Sequence, residues 1–132
     1  MTRQVTILVT APPTRTPTRT PTPDSQGPPA PSIVGPKNNV TLSCPVSKAL
    51  NVILDWSAPS DPSGIANYRV RLQVKATDWN DEKIWDPVSA SQVNATSAVI
   101  CGGVYRWRVF ARDGAGNQGS VSDWAYFGIE FH

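Results

Sequence analysis

Histidine is almost absent from this chain: the single one is His132, the last residue. A histidine-based nucleophilic triad or a histidine zinc site is therefore not expected. There are only two cysteines, Cys44 and Cys101, and two thiols without a histidine make no metal cage. No apolar run approaches the roughly 18 residues of a membrane span, so none is expected in this segment. Ile7-Leu8-Val9 is the longest apolar run near the start, shorter than a secretory signal core. Charge is also scarce, at 17% of residues with a net of +2. From Lys37 onward nine basic residues meet nine acidic ones. A module neutral in sum lacks the cationic excess of a nucleic-acid binder, so no nucleic-acid partner is expected.

Proline is plentiful, and it is segregated. Nine of the 13 prolines lie between Pro12 and Pro36, which divides the chain into two compositions. Residues 1–10 carry Gln4-Val5-Thr6-Ile7-Leu8-Val9-Thr10, a β-branched stretch too short to bury a face. It reads as the remnant of an upstream segment, either unstructured or the last strand of a preceding domain. Residues 11–30 form a Thr/Pro-rich linker, with Thr-Arg-Thr-Pro at 14–17 and again at 18–21. Proline fixes φ and removes amide donors, so this stretch stays extended at about 3 Å per residue. Such runs resemble the stalks of cell-surface proteins, bacterial ones among them, and its threonines are potential glycosylation sites.

Residues 31–131 change character. Short β-rich runs recur between turn clusters, and no 3.6-residue period persists. Val52, Leu54 and Trp56 alternate with Ile53 and Asp55. Tyr68, Val70, Leu72 and Val74 alternate with Arg69, Arg71 and Gln73. Tyr105, Trp107, Val109 and Ala111 alternate with Arg106, Arg108, Phe110 and Arg112. Further runs are expected at Val40–Ser43, Ala95–Ile100 and Val121–Phe131, and residues 75–90 read as a polar connection. About seven short strands with two-residue alternation predict an all-β, seven-stranded antiparallel sandwich.

Trp56, Pro59, Asp61 and Gly64-Ile65…Tyr68-Arg69-Val70 resemble the second-to-third-strand region of a fibronectin type III domain. Tyr105 through Asp113, followed by Gly116-Asn117, is similar to that family's sixth strand and the loop after it, and Trp124 with Tyr126-Phe127 fits its last strand. The resemblance spans residues 31–131 and implies an immunoglobulin-like fold of a secreted or cell-surface protein. At the turn before the sixth strand, Ile100-Cys101-Gly102-Gly103 stands where the family usually has a leucine and a proline–glycine turn. Trp56 and Tyr105 are the expected core aromatics, with the Tyr105 hydroxyl reaching the chain just upstream.

In that fold Cys44 and Cys101 fall at one pole. They are expected either to form a disulfide, which belongs to an extracellular compartment, or to remain two buried thiols. The third and sixth strands are neighbours, so Arg69, Arg71, Arg106, Arg108 and Arg112 would share one outer face, with Trp124 stacking among them. This resembles the arginine–tryptophan ladder of cytokine-receptor fibronectin modules, of whose Trp-Ser-x-Trp-Ser motif Ser122-Asp123-Trp124 keeps half. The face is read either as a stabilising ladder or as a candidate binding face for an acidic cell-wall polysaccharide or a protein. Trp79 and Trp85 form a candidate sugar platform if exposed and coplanar, or else cover a sheet edge. Asp78, Asp81 and Glu82 read as solvated loop residues, and Asp113–Asn117 as a turn with too few acids for a calcium loop.

The function expected is thus a non-catalytic spacer or ligand-binding module, monomeric in isolation, with no cofactor. The alternative is a carbohydrate-binding accessory module of a glycan-active enzyme.

Overall fold

A computed structural model describes residues 24–45 and 50–131. The expectations for residues 1–10 and for most of the linker, through residue 23, fall outside the described residues, as does His132. Eight strands run in the order β1 (Ser32–Gly35), β2 (Val40–Ser43), β3 (Ile53–Ser57), β4 (Ile65–Lys75), β5 (Trp79–Val88), β6 (Gln92–Asn94), β7 (Val104–Asp113) and β8 (Ala125–Glu130). One 3₁₀ turn, Thr96–Ala98, is the only helix among the described residues. The strands form two sheets, β1-β3-β6 and β2-β8-β7-β4-β5. This is a two-sheet β-sandwich.

Alternation explains the core. Val52, Leu54 and Trp56 face inward from β3 and the residue before it. Tyr68, Val70 and Leu72 do so from β4, and Tyr105, Trp107, Val109 and Ala111 from β7; all ten are buried. The Trp56 ring meets Tyr68 edge-on at 5.1 Å and Trp107 at 6.0 Å. Tyr105 stacks on Phe127 at 5.4 Å, and its hydroxyl accepts a hydrogen bond from the Ile100 N–H at 2.8 Å, the upstream contact expected from the sequence. Gly103 is required here, because a Cβ at that position would meet the buried Tyr105 ring.

Four expectations are corrected. The strand count is eight, not seven, and the sandwich is not wholly antiparallel, because β2 pairs with β8 in parallel. Both differences arise where the first edge of the sandwich divides. Pro36 has no N–H to continue the pairing of β1. Asn38 and Asn39 adopt φ of 60° and 58°, a left-handed conformation that asparagine tolerates, and turn the chain across to the other sheet. Residues 75–90 are not a polar connection: β5 fills most of them and closes the edge of the larger sheet. The Ala95–Ile100 run is replaced by β6 and the 3₁₀ turn, in which the Thr96 hydroxyl accepts from the Val52 N–H.

Residues 24–30, placed with the linker by composition, lie against the sandwich. The Pro28 carbonyl accepts from the Ser120 N–H at 3.0 Å, and Asn117 Nδ2 donates to the Asp24 carbonyl at 2.7 Å. A Cβ on Gly27 would collide with the Gln118 carbonyl, so glycine permits this close approach.

Cys44 and Cys101 are joined in a disulfide, with Cα atoms 5.7 Å apart. It ties the end of β2 to the turn before β7. No helix among the described residues is long and apolar enough to cross a membrane.

Candidate functional site

The inward set on β4 and β7 leaves Arg69, Arg71 and Gln73, with Arg106, Arg108, Phe110 and Arg112, on the outer face of the five-stranded sheet. The two strands pair Arg69 with Phe110, Arg71 with Arg108 and Gln73 with Arg106, each pair side by side on that face. All five arginines singled out by the sequence are therefore brought together.

Trp124 joins them from just before β8, and the reason is local. Ser122 is buried, its N–H donates to the Val109 carbonyl at 2.9 Å, and its hydroxyl accepts from the Val109 N–H at 3.0 Å. That double link to β7 sets the indole two residues later over the face. The guanidinium carbons of Arg106 and Arg108 lie 4.1 Å and 4.2 Å from its ring centroid. Residues two apart on a strand are separated by about 6.8 Å, so one ring fits between two guanidiniums. The stack continues beyond Arg106 to Trp79, 4.6 Å away, which also receives Lys75 at 5.3 Å and meets Tyr126 edge-on at 5.7 Å. At the other end Arg112 lies 5.3 Å from Phe110.

Carboxylates from β5 complete the face. Arg71 binds Asp81 through two contacts of 2.7 Å and 3.0 Å. Gln73 Nε2 donates to the same carboxylate, and Arg106 Nε donates to Gln73 Oε1. Arg112 binds Asp86 through two contacts of 2.7 Å and 2.8 Å and also donates to Asn67, while Arg69 lies 3.8 Å from Asp86. Asp81 is thus not a solvated loop residue. Residues five apart on a regular strand point to opposite faces, yet Asp81 and Asp86 both reach the arginines. A register shift opposite Leu72/Gln73 inserts one extra residue in β5 and inverts its alternation. The sequence carried no visible sign of that bulge.

The same inversion separates the two tryptophans of the candidate sugar platform. Trp79 lies on the outer face within the stack. Trp85 pairs with inward-facing Val70 and packs against the core at the sheet edge. They occupy opposite faces of β5, so the coplanar pair is not formed.

Hydrogen bonds from Arg71, then from Gln73, lower the Asp81 carboxyl from 3.8 to about 2, and hydrogen bonds from Arg112 hold Asp86 below the usual range. A carboxylate whose folded pKa is depressed stabilises the fold above its unfolded pKa, and that contribution fades as pH falls through the folded value. Stability is therefore expected to drop between about pH 4 and pH 2. In a carboxyl-detected NMR titration, Asp81 should have its midpoint near 2 and return toward the usual value in Arg71→Gln. A wild-type midpoint near 4 would refute the ion pair.

A second polar group lies at the pole where residues 24–30 pack. The carboxylates of Asp24, Asp61 and Asp113 have oxygens within 4.8 Å of one another. Sequence reasoning marked Asp113–Asn117 as a turn and Asp61 as part of a family resemblance, and did not join them. Burial works against ionisation of Asp113, but hydrogen bonds from the Asn117 side chain and backbone and from the Ala115 N–H hold its carboxyl below the usual value. Both Asp113 oxygens are engaged by that turn. Burial raises the Asp61 carboxyl, and the charges of Asp24 and Asp113 add to the rise.

No protein-family model matches the chain, and no curated protein matches it. Among solved structures, one titled "Titin kinase and its flanking domains" is similar at a TM-score of 0.45 and 19% identity, over 76% of this chain and 17% of that one. The chain therefore spans about a sixth of that structure's length.

Proposed function

We propose that this chain is a non-catalytic interaction module of fibronectin type III type, borne by a secreted or cell-surface protein, and that it docks an acidic partner on the outer face of its larger sheet. The observation that carries the reading is the charge balance of that face. Among the described residues five arginines meet two carboxylates there, Asp81 and Asp86, and the stack with Trp79 and Trp124 holds the guanidiniums of Arg106 and Arg108 in place before any partner arrives. Preorganised cations lose little side-chain entropy on binding. The family reading draws support from the strand order and from the Tyr105 contact with the Ile100 N–H. The Cys44–Cys101 bridge favours an oxidising compartment. A Thr/Pro stalk upstream suits a module held away from a surface. The partner favoured is an acidic cell-wall polysaccharide. A carbohydrate-binding role through Trp79 and Trp85 finds no support in their placement.

Retention on an immobilised acidic polysaccharide at low salt is the test. The wild-type protein should be retained and should elute as salt rises, since exposed charges are screened. Arg106→Glu combined with Arg108→Glu should pass through unretained. Equal retention of the two proteins would overturn the docking face.

A further inference from the structure

Within that face one place is more specific than the rest. The cross-strand pairs Arg69–Phe110 and Arg71–Arg108 are successive on the same side of β4 and β7. With Gln118 and Val121 from the following loop they line a hollow of about 260 Å³. Three guanidiniums thus border one small space. Two have acidic partners: Arg71 holds Asp81, and Arg69 lies at the longer distance of 3.8 Å from Asp86, which Arg112 already engages. Arg108 has no carboxylate partner among the described residues. Like charges directly opposite each other on neighbouring strands are destabilising, yet Arg71 and Arg108 are so placed. Partial burial and the charges of Arg71 and Arg106 both act against the charged form of Arg108. The stack on Trp124 offsets part of this cost and fixes the guanidinium at the rim of the hollow. An anion seated there would remove the remainder.

The shape of the site narrows the chemistry. A single planar guanidinium fork pairs with a carboxylate or a tetrahedral oxyanion alike, but three guanidiniums around one hollow offer donors from three sides, which suits the three terminal oxygens of a tetrahedral oxyanion. Gln118 is exposed at the rim, where its amide can add a neutral donor. Phe110 and Val121 supply apolar walls suited to the carbon side of an ester. We propose that the hollow between Arg69, Arg71 and Arg108 is a subsite for a phosphate or sulfate monoester on the acidic partner, with Arg108 its principal donor. The proposal rests on the docking reading above and names the group that reading leaves unspecified.

The test is an NMR titration of the full chain with inorganic phosphate and with inorganic sulfate, using acetate at matched ionic strength as control. Saturable shifts are expected at the Arg71 and Arg108 side-chain N–H groups and at Gln118 for both tetrahedral ions, and none that saturate for acetate. A preference between phosphate and sulfate identifies which ester the subsite takes. Arg108→Gln should weaken binding about tenfold or more, the worth of a lost hydrogen-bond pair to a charged group. Arg69→Gln, which leaves the stack untouched, provides a second reading and should weaken binding about threefold. Lys83→Gln removes an equal charge from β5 at a position that pairs with inward-facing Leu72 and so lies off this face, and should change binding by less than about twofold. Equal loss from Arg108→Gln and Lys83→Gln, or saturable acetate binding of equal strength, would overturn the subsite and leave the docking face standing. Phosphate or sulfate binding with no retention of the wild-type protein on the acidic polysaccharide would overturn the docking reading alone.

Discussion

Replacing Cys44 and Cys101 together by alanine is expected to lower the stability of the module by about 4 kcal/mol. The bridge closes a loop between residues 57 apart in sequence, and a closed loop of that length removes that much conformational freedom from the unfolded chain. For a domain of this size the loss corresponds to a fall in Tm of roughly 15–30 °C. The position of the bridge adds a structural reason. β2 has four residues and is held to its sheet through its parallel pairing with β8, while Cys101 precedes β7 in the centre of that sheet. Without the bridge, β2 keeps one line of pairing at an exposed edge. Each single cysteine-to-alanine variant should lose nearly as much as the double variant, because either change breaks the same bond. Chemical unfolding of the three variants beside the wild type measures this. A double variant within about 1 kcal/mol of wild type would show that the bridge does not restrain the unfolded chain. Two titratable thiols in unfolded wild-type protein without reductant would show that the bridge does not form.

The legible part of this fold is the part governed by local alternation. β7 is readable residue by residue: Tyr105, Trp107, Val109 and Ala111 bury while the arginines between them do not, because one strand has two faces in two environments. β3 and β4 read the same way. From two such strands the common arginine face follows once they are neighbours. β5 was illegible for the converse reason. It is an edge strand with most of its residues exposed, so no buried face imposes alternation on it, and its bulge inverts what alternation there is. The partners of the arginines, Asp81 and Asp86, were hidden by that same bulge. Their spacing fits a solvated loop as well as it fits a pair of clamps. The separation of Trp79 from Trp85 was hidden too, since two tryptophans near each other in sequence look like a platform until the face of each is known. At the carboxylate pole, Asp24, Asp61 and Asp113 come from three distant positions, and only tertiary packing brings them together.

The stack on Trp124 shows how the two levels combine. Its arginines are legible from alternation, but its geometry depends on Ser122, whose hydroxyl substitutes for a strand partner at the Val109 N–H. The half-motif Ser122-Asp123-Trp124 marks the place in the sequence, but the hydrogen bonds of Ser122 to Val109 are visible only in the folded chain. The consequence is functional: the face is set by the backbone of β7 and by a side chain anchored to the same strand, so it has little freedom to rearrange. Binding there should resemble docking to a rigid surface, with the cost of ordering already met during folding.

Trp107→Ala is expected to destabilise the module by about 3–5 kcal/mol, the cost of deleting a large buried aromatic. Trp107 has no exposed surface and its ring lies 6.0 Å from Trp56, so the cavity would open between the two sheets. Its second role distinguishes it from other core residues. Nε1 donates a hydrogen bond of 2.9 Å to the Pro36 carbonyl, in the segment that carries the chain from β1 to β2. Pro36 itself contributes no donor, and Asn38 and Asn39 beyond it are in left-handed conformations, so the carbonyl of Pro36 is the point at which the indole holds this segment. The indole therefore pins the point where the chain leaves one sheet for the other. Trp107→Phe separates the two roles, since it keeps an aromatic ring and removes the donor. It should cost about 1–3 kcal/mol, partly because the Pro36 carbonyl loses its partner. In hydrogen exchange, Trp107→Phe should speed the amides of Asn39 and Val40, which donate to the Tyr126 and Lys37 carbonyls, more than those of β4. Uniform acceleration across both sheets would mean that Trp107 acts by packing alone, and that the crossing segment is held by other contacts.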